Sequence, residues 1–306
     1  MRILVMYPLR ENQKAQLKRE FPQMEFIFDT NPSRSEVEGC EVFYGKPDFD
    51  IVENPPSCLK WVQLWMAGYD RYKVISKDLL VTHASGCYDQ SVSEHALALA
   101  FALSHHIPSY VKNQERSQWK DEGQVVGFEE SNVLVLGLGN IGRTVAKKFS
   151  LLGAHVYGIR RHIAPVEYVQ EVHTMDDLCG LLGDMDYVVS CLPGGEGTKG
   201  VLDAKAFASC KPSALVINVG RGNAVDMDAL YAALVKGQIA GYAGDAWNEE
   251  PLPSASPFWK LDNCLVTPHV AGGTHLEATR QRNLDIFKDN LKRYLKGEEL
   301  HNLVRH

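Results

Sequence analysis

The chain of 306 residues is 45% hydrophobic and 23% charged, with a formal net charge of −6. It is long enough for two domains with separate cores and has the composition of a globular protein. The acidic balance argues against a general nucleic-acid binder, and no apolar run approaches the ~20 residues of a membrane-spanning helix.

Seven scattered cysteines without a CxxC pair suggest neither a zinc site nor a disulfide framework. A reducing, cytoplasmic compartment fits this usage, and neither nucleic acid, membrane nor metal is expected as a partner. "MRILVMYPLR" is basic, then apolar, but the run is short and no small-residue cleavage site follows. It reads as a buried first strand and not as a signal peptide. "ENQKAQLKREF" follows as a helix, then "MEFIF", "CEVFYG", "LKWVQLW" and "LLVTHAS" as strands. Such alternation predicts a parallel sheet covered on both faces. "SVSEHALALAFALSHH" predicts a long helix, with Ser91 and Glu94 at the spacing of a capping box. Its apolar residues run almost all round, which predicts burial, for instance between two domains. "IPSYVKNQERSQWKDEG" is polar, with isolated Tyr110 and Trp119. It reads equally as a solvated helix and loop or as a dimer arm anchored by Trp119.

A second, more regular series starts at residue 132. The segments "NVLVLG", "HVYGI", "YVVSCLP", "ALVINVG", "IAGYAGDAW" and "CLVTPHV" are strand-like. Helical or loop stretches separate them, among them "NIGRTVAKKFSLLG" and "NAVDMDALYAALVKG". The last segment carries Leu284, Phe287, Leu291 and Leu295 at helical spacing and predicts one amphipathic helix ending at Gly297.

Within "VLVLGLGNIG", Gly137, Gly139 and Gly142 form a G-x-G-x-x-G between a strand and a helix, with Asn140 and Ile141 completing the loop. Glycine at the first position permits a tight turn, at the second a close approach of pyrophosphate, and at the third tight helix–strand packing. The helix N-terminus adds free N–H groups and a partial positive charge. A dinucleotide site of this kind expects a carboxylate about 20 positions on, holding the ribose 2′-hydroxyl. Counting forward reaches Arg160, followed by Arg161. A guanidinium offers a planar fork of donors to a phosphate, so the pair points to NADP(H) in preference to NAD(H).

Three further stretches occupy residues 218–226 ("NVGRGNAVD"), 244–253 ("GDAWNEEPLP") and 267–274 ("TPHVAGGT"). With the glycine loop, in this order and spacing, the chain strongly resembles the D-isomer-specific 2-hydroxyacid dehydrogenases. The resemblance covers nearly the whole chain. Residues 59–70 look like that family's substrate loop, and residues 92–99 like its interdomain helix. It implies an α/β protein of two Rossmann-like, doubly wound parallel-sheet domains with a cleft between them. Residues 1–98 plus 276–306 would form the substrate domain and residues 99–275 the dinucleotide-binding domain. Homodimers are the family's usual state.

Hydride transfer leaves negative charge on the carbonyl oxygen of a 2-oxo acid, so the site needs a cation, a proton donor and fixed geometry. By resemblance, Arg221 is the catalytic arginine, gripping the carboxylate and polarising the ketone. His269 is the general acid and base, and Glu250 its carboxylate partner. The family pattern puts the catalytic glutamate immediately before Pro251, which leaves Glu249 as a solvated neighbour. Asp245 matches a position contacting the nicotinamide carboxamide, and Leu192 and Pro193 shape the cofactor's ribose side. Ala67, Gly68 and Tyr69 fit the loop whose backbone amides hold the substrate carboxylate. Trp65, Met66 and Tyr69 are bulkier than the common family pattern, and read either as substrate-facing or as core. The other ten histidines read as structural. His105 with His106, and His83 with His95, lack metal-ligand spacing. The expected activity is an NADP(H)-preferring reduction of a small 2-oxo acid such as glyoxylate or hydroxypyruvate. A nucleotide-sensing, corepressor-like binding protein on the same fold is the alternative. It is disfavoured by the lack of a long disordered tail.

Overall fold

The computed structural model describes residues 1–70, 72 and 75–304. The chain divides into two compact units, Met1–Tyr88 with Thr274–His306, and Asp89–Gly273. The sequence reading placed the breaks at 98/99 and 275/276; its last two residues, 305 and 306, lie outside the described set.

In the first unit, strands β1 (Arg2–Val5), β2 (Glu25–Phe28), β3 (Val42–Gly45), β4 (Trp61–Leu64) and β5 (Leu80–Thr82) alternate with helices α1 (Glu11–Glu20), α2 (Arg34–Glu38) and α3 (Phe49–Glu53). The strands pair in parallel in the order β2-β1-β3-β4-β5. β3 and β4 are buried on both faces, as central parallel strands must be. Side chains of β1, β3 and β4 alternate between two cores. Ile3, Val5, Tyr44 and Trp61 enter one, and Leu4, Phe43, Val62 and Leu64 the other.

The second unit opens with α4 (Asp89–Ser104) and α5 (Ile107–Glu115). It continues as β6 (Asn132–Leu136), α6 (Asn140–Leu151), β7 (His155–Ile159), β8 (Glu171–His173), α7 (Leu178–Leu181), β9 (Tyr187–Ser190), α8 (Ala204–Ser209), β10 (Leu215–Asn218), α9 (Met227–Val235), β11 (Gly241–Gly244) and β12 (Cys264–Val266). Seven parallel strands lie in the order β12-β11-β10-β9-β6-β7-β8. The chain leaves β6 toward β7 on one side and later returns to β9 on the other. The C-terminal ends of β6 and β9 therefore flank the topological switch point, where open α/β sheets bind ligands. The whole of α4 packs within this unit, against α6, β10 and β11. It begins at Asp89, so Ser91 sits inside the first turn and not at the cap where the sequence placed it.

The chain then returns to the first unit as α10 (Glu277–Lys296). Leu284, Phe287 and Leu291 are fully buried, and Phe287 stacks on Tyr44 at 4.2 Å between ring centroids. Leu295 is 42% exposed and departs from the predicted stripe. Over twelve residues a 3.6-residue period drifts away from the core-facing line, and the Tyr294 ring takes the contact, stacked on Trp61. Gly297, at φ 69°, ends the helix in the left-handed conformation the sequence reading expected.

Candidate active site

The turn from β6 into α6 explains each glycine by a different contact. Gly137 has φ 92°, and a Cβ there would lie 3.1 Å from the Cys191 carbonyl oxygen. At Gly142 a Cβ would fall deep inside the Gly137 carbonyl group, so only glycine lets the helix close on the turn. Gly139 is the residue before the first turn of α6, and a Cβ there would meet nothing. It is exposed, with Asn140 and Ile141 following as the first helical residues. This open approach to a helix N-terminus fits a pyrophosphate.

Arg160 and Arg161 follow β7, the neighbour of β6. The Arg160 backbone N–H donates to the His173 carbonyl at 3.0 Å. Among the described residues neither guanidinium has an ion-pair partner. Leu192 and Pro193 follow β9 across the switch point, Leu192 buried and Pro193 exposed. Burial pushes the adjacent Cys191 thiol up to about 12, so it stays protonated and takes no part as a nucleophile.

Arg221 sits one turn beyond β10 on a braced loop. The fully buried Asn218 donates to the Arg221 carbonyl at 3.0 Å and accepts from the Gly220 N–H at 3.1 Å. A Cβ on Gly220 would lie 2.6 Å from the Leu192 carbonyl oxygen, and one on Gly222 would overlap the Trp247 backbone. The Arg221 loop is thus wedged between the segments after β9 and β11.

The segment after β12 carries His269, whose φ of 52° is unusual for a residue with a side chain. Asp245 holds that conformation. It is 2% exposed, and one carboxylate oxygen accepts from the Thr267 hydroxyl at 2.7 Å and the Val270 N–H at 3.0 Å. The other accepts from the Ala271 N–H at 3.0 Å. His95 on α4 reaches the Thr267 hydroxyl at 3.1 Å. On this firm loop, the His269 Nδ1 lies 2.9 Å from each oxygen of Glu250. One of those oxygens also accepts from the Trp247 N–H at 3.0 Å. The His269 side chain is 44% exposed, and its Nε2 has no partner among the described residues. Arg221, Glu250 and His269 therefore all stand on loops at the C-terminal edge of one sheet.

Residues 97–271, more than half of the chain, match the family described as D-isomer specific 2-hydroxyacid dehydrogenase, NAD binding domain. The chain belongs to the D-isomer-specific 2-hydroxyacid dehydrogenases. It is thus an NAD(P)-dependent oxidoreductase acting as a 2-hydroxyacid dehydrogenase. It is 30% identical to glyoxylate/hydroxypyruvate reductase B of Pectobacterium carotovorum, over 99% of this chain and 97% of that one. A solved family member from Aeromonas salmonicida superposes with a TM-score of 0.89 at 26% identity, over 99% and 98% of the two chains. Another, from Xanthobacter autotrophicus and in complex with NADPH and MES, gives 0.83 at 27% identity, over 99% and 97%.

The loop that resembles this dehydrogenase family's substrate loop lies in the first unit, just after β4. The bulk of Trp65 and Met66 is explained by packing. Trp65 meets Tyr7 edge-on at 5.3 Å, and Met66 joins the core beside β4. Ala67 and Gly68 are partly buried, and Tyr69 is 39% exposed. Sequence reasoning missed Asn218 as the brace of Arg221 and the use of the Asp245 carboxylate by the His269 loop. An Asn three residues before a functional arginine was the available signal. The Asp245 bonds join residues about 25 positions apart and leave no local trace.

Proposed function

We propose that the enzyme reduces small 2-oxo acids such as glyoxylate or hydroxypyruvate and prefers NADPH, with Asp89–Gly273 as the dinucleotide-binding domain and the other unit as the substrate domain. The observation that carries the chemistry is the His269–Glu250 pair, with Arg221 on the neighbouring loop. A bound nicotinamide supplies the hydride for reduction. Glu250 holds the Nδ1–H of His269, so the outward Nε2 is the atom that gives a proton to the carbonyl oxygen and takes it back on oxidation. The Arg221 fork pairs with the substrate carboxylate and stabilises charge growing on the ketone oxygen. Backbone amides of Ala67, Gly68 and Tyr69 hold the carboxylate. Phosphates rest at Gly139, Asn140 and Ile141, Leu192 and Pro193 flank the ribose, and Asp245 supports the nicotinamide side through the loop it braces.

Preference for NADPH is supported by the two guanidinium groups after β7, where a ribose-binding carboxylate is absent, and by the NADPH bound to the Xanthobacter relative. A homodimer and a cytoplasmic site complete the proposal. The test is reduced-nicotinamide absorbance with NADPH and NADH side by side against a panel of 2-oxo acids. Faster oxidation of NADPH, reversed by Arg160→Asp, is the expected result. Faster oxidation of NADH by the unaltered enzyme would reject the preference. Nucleotide binding without turnover of any 2-oxo acid would favour a nucleotide-sensing role.

A further inference from the structure

His95, on α4, stands at the outer end of a chain of hydrogen bonds that reaches the loop of His269. All its members lie within Asp89–Gly273. The His95 Nε2 is 3.1 Å from the Thr267 hydroxyl oxygen and 3.5 Å from one carboxylate oxygen of Asp245. That same carboxylate oxygen is 2.7 Å from the Thr267 hydroxyl and also accepts from the Val270 N–H. A carboxylate only accepts, so the single hydrogen of the Thr267 hydroxyl goes to Asp245. Toward His95 the hydroxyl oxygen is therefore an acceptor, and the ring carries a proton on Nε2. A hydroxyl that accepts one bond donates more strongly in the next. Donation from His95 thus favours the 2.7 Å bond to Asp245 over the Gly244 carbonyl, which lies 3.4 Å from the same hydroxyl.

We infer that His95 is a positioning residue for the acid–base histidine: through Thr267 and Asp245 it fixes the loop on which His269 faces Glu250. This rests on the proposed role of His269. The Asp245 carboxylate ties down Thr267, Val270 and Ala271, so its bonds bracket His269 two residues before and one and two residues after. The φ of 52° at His269 is one that a residue with a side chain keeps only where its surroundings hold it. Held so, the ring meets both oxygens of Glu250 at 2.9 Å through Nδ1 and leaves Nε2 for the substrate. The far end of the chain is firm as well, because α4 packs on β11, the strand that ends at Gly244 just before Asp245. The sequence reading counted His95 among the structural histidines. Its partner Thr267 lies 172 residues further on, so no local spacing marks the pair.

The test uses the full-length enzyme with glyoxylate and NADPH. His95→Phe keeps a ring and removes the donor. It is expected to lower the single-turnover rate constant about tenfold, with KM for glyoxylate and the NADPH dissociation constant within about twofold, because a misplaced acid–base group slows the chemical step and not binding. In His95→Gln the amide nitrogen stands where Nε2 stood, and the rate should return to within about threefold of the unaltered enzyme. His95→Asn is too short to reach Thr267 and should behave like His95→Phe. Thr267→Val should lose rate to a similar extent, Thr267→Ser should recover it, and His95→Phe combined with Thr267→Val should cost little more than either alone. An unchanged rate in His95→Phe, no recovery in His95→Gln, or fully multiplicative losses would overturn the inference. If His95→Phe does not fold, the contrasts of His95→Gln with His95→Asn and of Thr267→Ser with Thr267→Val decide in its place. Imidazole ¹⁵N resonances, assigned by their loss in His95→Gln and in His269→Ala, decide without turnover. Those of His95 should report a proton on Nε2, and those of His269 should shift in His95→Asn. Both results without turnover of any 2-oxo acid would keep the chain and reject the proposed function. A His95 ring lacking a proton on Nε2, or His269 resonances that stay in place in His95→Asn, would overturn the inference whatever the enzyme turns over.

Discussion

His269 offers one outward ring nitrogen, while its Nδ1 lies 2.9 Å from each oxygen of Glu250. Replacing it with alanine should lower kcat/KM for a 2-oxo acid by about 10²- to 10⁴-fold, the usual worth of a positioned acid–base group. Nucleotide affinity, measured by fluorescence titration, should stay nearly constant. Lost affinity with retained turnover would assign the residue to binding instead. At the same scale, His83 makes a pH prediction. Burial holds its imidazole below the ordinary value. The folded state then binds fewer protons than the unfolded chain. That contribution to stability is complete above the unfolded value of about 6.5 and is lost as pH falls through the lower folded value. Melting temperatures followed from neutral pH into the acid range should fall more steeply for the unaltered enzyme than for His83→Asn. Parallel curves would mean that some other group sets the acid limb.

The β6–α6 element separates two roles that a motif alone runs together. Gly142 is required by packing, because a Cβ there would invade the Gly137 carbonyl. Gly139 faces open space and is required only if something approaches it. Gly142→Ala should therefore cost about 1–3 kcal/mol of stability, as overpacking does, with affinity lost as a consequence. Gly139→Ala should leave the melting temperature within a degree or two and still weaken NADPH binding. Equal loss of stability in both would deny Gly139 a ligand role. Elements of this kind were legible in the sequence because strand period, glycine spacing and helix period are local. The elements read less well failed for local reasons too. Ser91 has a capping partner at the right spacing, yet α4 starts two residues earlier at Asp89. Leu295 continues a helical stripe, yet the sheet beneath α10 presents Trp61 to Tyr294 instead. Trp119, four residues past α5, is fully exposed.

At the scale of the whole molecule, the chain enters one sheet, completes a second as a continuous stretch, and returns to cover the first with α10. Site residues are split accordingly. Ala67, Gly68 and Tyr69 belong to the discontinuous unit; Arg221, Glu250, His269 and the glycine loop belong to the continuous one. The sequence revealed the two α/β series but set the break within α4, because an almost uniformly apolar helix gives no sign of which core it joins. Its contacts with α6, β10 and β11 answer that. A continuous unit with its own core can fold alone. A fragment spanning residues 89–273 is therefore expected to melt cooperatively and to bind NADPH within about tenfold of the full-length affinity, since the glycine loop and Arg160 lie wholly inside it. It should show no turnover with glyoxylate, because the loop proposed to hold the carboxylate is missing. Calorimetry and fluorescence titration decide the matter. A fragment that folds but does not bind would mean that nucleotide recognition draws on residues of the other unit. A fragment that turns over substrate would remove the Ala67–Tyr69 loop from the reaction.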